Sequence, residues 1–159
     1  MTALSGDLPE GLAATLDIIA SAASTLLDPW WIYGGAAMAL AGLEDLHVPD
    51  VDILASPRDA RALIEALHGR LSEDPGEGLF RSHVFGQILT TPVPIDVMAD
   101  MDVRDGGDWA RVGFHTRMPV EVDGAVVFIP TIGEQIATCR LFGRPKDLER
   151  AARLETLIH

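Results

Sequence analysis

Asp96 stands in the middle of an otherwise apolar, strand-like run, Pro94-Ile95-Asp96-Val97-Met98. A lone carboxylate is costly to bury unless a partner or a metal ion meets it. The fold therefore has to bring a companion to this strand. Residues 50–55 (Asp50-Val51-Asp52-Ile53-Leu54-Ala55) provide a candidate. Successive strand side chains point to opposite faces, so Asp50 and Asp52 share a face. If the two strands are neighbours, three carboxylates converge. Such a cluster is an oxygen-ligand set for two Mg²⁺ ions, which favour carboxylates and substrate phosphates. The simpler alternatives are Asp50 as a cap after Pro49 and Asp52 as an ion-pair partner. A second Asp-x-Asp spacing, Asp100 and Asp102, falls in a polar stretch over 100–108 that reads as a solvated loop.

The other segments frame these strands. Leu12, Leu16, Ile19 and Ala23 fall at helical spacing within residues 8–27, and Asp28-Pro29 closes that helix. Trp30-Trp31-Ile32-Tyr33 suits a buried strand, with Trp31 and Tyr33 as packing residues. Gly34-Gly35 breaks it and opens a short helix of small residues through Leu43. Ser56-Pro57 is an N-cap with proline at the first helical position, which starts a helix to Leu67. Residues 71–78 form a turn-rich loop. Strands over 83–90 and 93–98 are joined by Thr91-Pro92. A second hairpin, Met118–Val122 with Ala125–Ile129, turns at Asp123-Gly124. Thr131 opens a helix stopped by Gly143, and a last helix runs from about Lys146 to Ile158. This order predicts an α/β (α+β) domain, a mixed sheet of about five strands with flanking helices. A single domain over 1–159 is expected: an N-terminal helix in 1–28, a core in 29–100, and a hairpin with helices in 118–159.

Composition narrows the function. The chain has 159 residues, with 24 acids against 12 bases and a net charge of −12. Gripping a long nucleic acid needs clustered Lys and Arg, so that role is disfavoured. Residues 1–55 carry eight acids and no Lys or Arg, whereas residues 111–159 carry seven bases and six acids. Cys139, the single cysteine, permits no internal disulfide and lies in an apolar helical pattern, as a buried small hydrophobe would. The five histidines show no zinc spacing. With no basic N-terminal region and no membrane-length apolar run, a cytoplasmic location is expected.

Three motifs in order, Tyr33-Gly34-Gly35-Ala36-Ala37-Met38, then Asp50-Val51-Asp52-Ile53-Leu54, then Ile95-Asp96-Val97, resemble the DNA polymerase β-type nucleotidyltransferase superfamily. The segment from Ile129-Pro130-Thr131 to Gly143-Arg144-Pro145-Lys146-Asp147-Leu148 is similar to the C-terminal helical piece of its small bacterial members, including antibiotic-modifying ones. Gly35 stands where many members have serine, and Ala36 follows, so this turn brings no side-chain hydroxyl to a phosphate. The resemblance implies Mg²⁺-dependent transfer of a nucleoside monophosphate from a triphosphate, with ATP the expected donor, to a hydroxyl of a small molecule or protein, releasing pyrophosphate. It implies that Asp50, Asp52 and Asp96 bind metal and carry catalysis, Asp96 also helping to deprotonate the acceptor. Gly34 and Gly35 would hold phosphate oxygens through their N–H groups. Lys146 and Arg144, and more weakly Arg140, would reach the nucleotide; the bland reading of Lys146 is a solvated helix terminus, and of Asp147 a helix N-terminal charge. A homodimer or a partner chain could complete an acceptor site. The competing readings are a catalytically weakened nucleotide-binding or interaction module, such as one half of a toxin–antitoxin-type pair, and a metal-dependent phosphohydrolase.

Overall fold

The computed structural model describes residues 2–3, 8–72 and 78–158; most of the turn-rich 71–78 segment and His159 lie outside that set. The elements are β1 (Thr2–Ala3), α1 (Leu12–Ala23), β2 (Trp31–Tyr33), α2 (Gly34–Leu40), β3 (Val51–Leu54), α3 (Pro57–Ala66), β4 (Arg70–Leu71), β5 (Phe80–Ile88), β6 (Ile95–Asp105), β7 (Asp108–Arg111), β8 (Met118–Val122), β9 (Ala125–Ile129), α4 (Ile132–Phe142) and α5 (Pro145–Glu155), followed by a 3₁₀ turn, Thr156–Ile158. The cap expected at Ser56 is present, its hydroxyl accepting from the N–H of Asp59, and Thr131 caps α4 in the same way, accepting from that of Glu134. Gly143 ends α4 in the left-handed region, with φ 70°.

The expected α/β class is found, with a mixed sheet of six strands. Its order is β2-β3-β6-β5-β4, and β7 also pairs with β6. β3 and β6 run parallel; the other pairs in this sheet are antiparallel. The Asp123-Gly124 hairpin forms as expected, but in a separate three-stranded sheet, β1-β8-β9. One face of the large sheet meets α1, α3 and this small sheet. Leu12, Leu16, Ile32, Ile53, Leu63, Ile95 and Val97, all fully buried, form its core. Each such side chain contributes about 2 kcal/mol on removal from water. Asp59 is buried too, and is satisfied by the backbone N–H groups of Leu27 and Asp28, which tie the segment between α1 and β2 to α3.

The other face carries a smaller cluster of Tyr33, Leu54, Met98, Met101, Val103, Val112 and Phe114. Residues 100–108 are not the loop expected from their polarity. β6 continues to Asp105, and Gly106-Gly107, both with positive φ, turn it into β7. Asp100 has φ 50°, which interrupts the side-chain alternation. Met101 and Val103, rather than Asp100 and Asp102, continue the face begun by Met98. Asp102 is correspondingly not solvated. It is buried and bonded to Arg111 and Arg81 at 2.8 and 3.0 Å, and these guanidiniums hold its carboxyl below the usual range. Among the described residues no helix is long and apolar enough to cross a membrane.

Candidate functional site

Strand register builds the site. Tyr33 on β2 pairs with Asp52 on β3, Asp52 with Asp96 on β6, and Asp96 with Gln87 on β5. These four side chains make one row across the face opposite the main core. The next row, Trp31, Leu54, Met98 and Phe85, is apolar. Asp50 sits just before β3, where the N–H of Val51 bonds to Pro94 O and opens the parallel ladder. The parallel pairing therefore does what the isolated Asp96 demanded: carboxylate oxygens of Asp50, Asp52 and Asp96 all lie within 4.8 Å of one another.

The electrostatics of this cluster are unfavourable without a cation. Burial, then the charges of Asp50 and Asp96, push the Asp52 carboxyl up to about 7, against opposing pull from Lys146 and Arg144. Burial also raises Asp96, partly offset by a hydrogen bond in which Gln87 Nε2 donates to Asp96 Oδ1 at 3.2 Å. None of the three carboxylates has an ion pair among the described residues. Oxygen-only donors this close, with no ion pair to neutralise them, fit a hard divalent cation. Tyr33 is no candidate base: burial and the nearby carboxylates raise its phenol well above its usual value, and its hydroxyl points at the sulfurs of Met98 and Met101.

Gly34 shapes the turn beside the triad. It has φ 70°, and a Cβ there would lie 2.8 Å from Asp52 Oδ2. Gly35 opens onto α5 instead; a Cβ there would be 3.9 Å from Arg150 Nη2. The turn and the triad form one end of a cavity of about 490 Å³, a volume suited to one small ligand. All seven residues expected at the site line it: Gly34, Gly35, Asp50, Asp52, Asp96, Arg144 and Lys146. Arg140 does not line this cavity, and its guanidinium is paired with Glu155. Arg144 is largely committed to its own helix, with its Nε 2.6 Å from Asp147 Oδ2. Its guanidinium also lies 5.0 Å over the Phe80 ring, which meets Phe142 edge-on at 4.8 Å.

The remaining wall was not visible in the sequence. Phe80, Phe85, Met98, Met101, Phe114 and Phe142 supply an apolar lining drawn from four segments. Gln87 and Arg150 were also missed. Arg150 could have been found, since it lies one helical turn after Lys146. Gln87 could not, because its role depends on hairpin register. Cys139 lines the cavity but is buried, which pushes its thiol up to about 11 and leaves it inert as a nucleophile.

No protein-family model and no curated protein matches this sequence. Solved structures do match. A candidate nucleotidyltransferase of Thermotoga maritima, TM1012, aligns over 97% of this chain and 96% of its own, with TM-score 0.73 and 20% identity. The fold is nucleotidyltransferase-like. The antibiotic-resistance factor ANT(2'')-Ia aligns over 92% of this chain and 84% of its own, with TM-score 0.60 and 16% identity. The lincosamide antibiotic adenylyltransferase LnuA aligns over 96% and 99%, with TM-score 0.59 and 12% identity. At these identities it is the nucleotidyltransferase fold that is shared, and the chemistry has to be argued from the residues of this site.

Proposed function

We propose that this chain is a divalent-cation-dependent nucleotidyltransferase whose catalytic unit is one domain over residues 1–159. It moves a nucleoside monophosphate, with ATP as donor, to the hydroxyl of a small molecule or protein. The observation that carries this reading is the unpaired triad Asp50, Asp52 and Asp96 beside the Gly34-Gly35 turn. Asp50 and Asp52 would hold two Mg²⁺ ions, with Asp96 completing the one nearer the acceptor; bound there, the metal supplies charge neutralisation to the triphosphate and the leaving pyrophosphate.

The chain's own groups do the rest. The acceptor oxygen attacks the α-phosphorus, the bond to the β-phosphate oxygen breaks, and the hydroxyl proton passes to Asp96. Gly34 and Gly35 N–H groups and Lys146 bind the outer phosphates, with Arg144 fixed nearby by Asp147. The aromatic and thioether wall takes the base. ANT(2'')-Ia has been solved with adenylyl-2''-tobramycin, and LnuA with lincomycin. These neighbours support a small hydroxylated acceptor, whose site a second copy or a partner chain would complete in the cytoplasm.

The test is turnover: Mg²⁺, each labelled nucleoside triphosphate and a panel of hydroxylated acceptors, with Asp52→Asn alongside. Pyrophosphate release and label transfer by the wild type alone are expected. Phosphate release instead, or nucleotide binding without turnover across the panel, overturns the reading. Gln87→Met gives a finer check, because it removes the donor to Asp96 Oδ1 while keeping volume. About a tenfold fall in kcat with little change in KM for the triphosphate is expected from steady-state kinetics.

A further inference from the structure

Among the described residues, Gln135 Oε1 is the one buried side-chain polar atom without a hydrogen-bond partner. Gln135 is 4% exposed, sits on the first turn of α4 and lines the cavity. Its amide cannot be turned the other way round. Nε2 donates to Pro130 O at 2.9 Å, and a flip would set carbonyl against carbonyl. Oε1 is therefore fixed as an unsatisfied acceptor. Buried polar groups in that state are rare, and a donor from outside the chain would relieve this one. The same helix face repeats the pattern. Gln135, Thr138, Cys139 and Phe142 recur at helical spacing, and all line the cavity. The Thr138 hydroxyl donates to Glu134 O at 3.0 Å, so towards a ligand its oxygen is left to accept. Residues three apart on a helix have Cβ atoms about 5–6 Å apart. Two acceptors thus stand side by side in a wall that is otherwise aromatic and thioether.

We propose that Gln135 Oε1, with Thr138 Oγ1 beside it, makes the cavity selective for a nucleobase that bears an exocyclic amine. This rests on the nucleotidyl-transfer reading, in which the apolar wall takes the base. An amine has two hydrogens to give, one for each oxygen, while the ring packs on aromatic side chains such as Phe114 and Phe142. A base with a carbonyl at the same ring position presents lone pairs to lone pairs and leaves Oε1 unsatisfied. A base with no substituent there leaves it unsatisfied too, without the repulsion. The amine is thus recognised by what the cavity lacks.

The test compares triphosphates that differ at this one position. Binding of ATP, of ITP (a carbonyl in place of the amine) and of purine riboside triphosphate (neither group), each with Mg²⁺, is measured by titration calorimetry for wild type, Gln135→Met and Thr138→Val. Wild type is expected to bind ATP about tenfold to a hundredfold more tightly than the other two, Gln135→Met to bring all three within about threefold by weakening ATP, and Thr138→Val to narrow the gap by less. A Gln135 that only holds Pro130 in place would weaken all three alike and leave the ratios unmoved. That result overturns the assignment, as does a wild type that binds the three equally, and both leave nucleotidyl transfer standing. A wild type that binds none of them overturns the transfer reading and this assignment together. Thermal melts show that each variant is folded. Should Gln135→Met fail to fold, Thr138→Val decides on the same ratio: a narrowed preference for ATP supports the assignment, and an unchanged one overturns it.

Discussion

Asp52→Asn is expected to stabilise the metal-free protein and, in the same step, to abolish transfer. The carboxyl of Asp52 sits at about 7 in the folded protein against an ordinary value of 3.8, and burial is the largest cause. A folded-state value raised above the unfolded one means that the folded chain holds the extra proton between those two pH values. Stability therefore falls as pH rises from roughly 4 to 7, and the full penalty is present above 7. Three pKa units correspond to about 4 kcal/mol as an upper bound, and side-chain relaxation brings the expected effect to about 1–3 kcal/mol. Asn is neutral at every pH and removes the repulsion. Melts of the metal-free proteins should show the variant ahead of wild type at pH 8 and level with it near pH 4. Mg²⁺ or Mn²⁺ should raise the wild-type Tm more at pH 8 than at pH 5, and should do little to the variant. Turnover should drop about a thousandfold or more, because the variant removes a carboxylate that the proposed mechanism assigns to holding the charge-stabilising cations. A variant less stable than wild type at pH 8 would contradict the repulsion argument.

Much of this site was legible because Asp96 posed a problem with few physical solutions. An acid in an apolar strand needs a partner, and Asp50-Val51-Asp52 was the available one. The parallel pairing of β3 with β6, in register Asp52 to Asp96, is that solution. Local signals such as Ser56-Pro57, Asp123-Gly124 and Gly143 were legible for a different reason, since each is decided within a few residues. The β6–β7 hairpin was missed because Asp100, Asp102, Asp105 and Asp108 look like a solvated loop. Their strands are stabilised by Arg81 and Arg111, whose positions depend on the sheet itself. The Gly106-Gly107 pair was a usable turn signal passed over for the charges around it. The apolar wall could not be read at all. Phe80, Phe114 and Phe142 are separated by dozens of residues, and only the stacking of α4 over the second sheet face brings them to one cavity.

The two glycines of the turn should respond to substitution in opposite ways. Gly34→Ala places an L-residue at φ 70°, which costs about 1–2 kcal/mol in backbone conformation alone. Its methyl also falls 2.8 Å from Asp52 Oδ2, closer than carbon and oxygen tolerate. The carboxylate has to move, and it cannot do so freely among Tyr33, Asp96 and Asp50. The expected result is a loss of about 2–3 kcal/mol in stability together with weakened divalent-cation binding, read by denaturant melts and by the Mg²⁺-dependent shift in Tm. Gly35→Ala meets only ordinary contacts, with Arg150 Nη2 at 3.9 Å and His47 O at 4.0 Å, and Gly35 has no positive φ. Inside α2, alanine gains on glycine by roughly 0.5–1 kcal/mol. That variant should melt at or above wild type with its cation response intact. If both variants lose stability and cation binding alike, the crowding of Asp52 by position 34 is not what fixes the triad. If only Gly34→Ala does, the glycine that ends β2 is there to let a carboxylate approach the backbone, which a chain built only to make a tight turn has no reason to require.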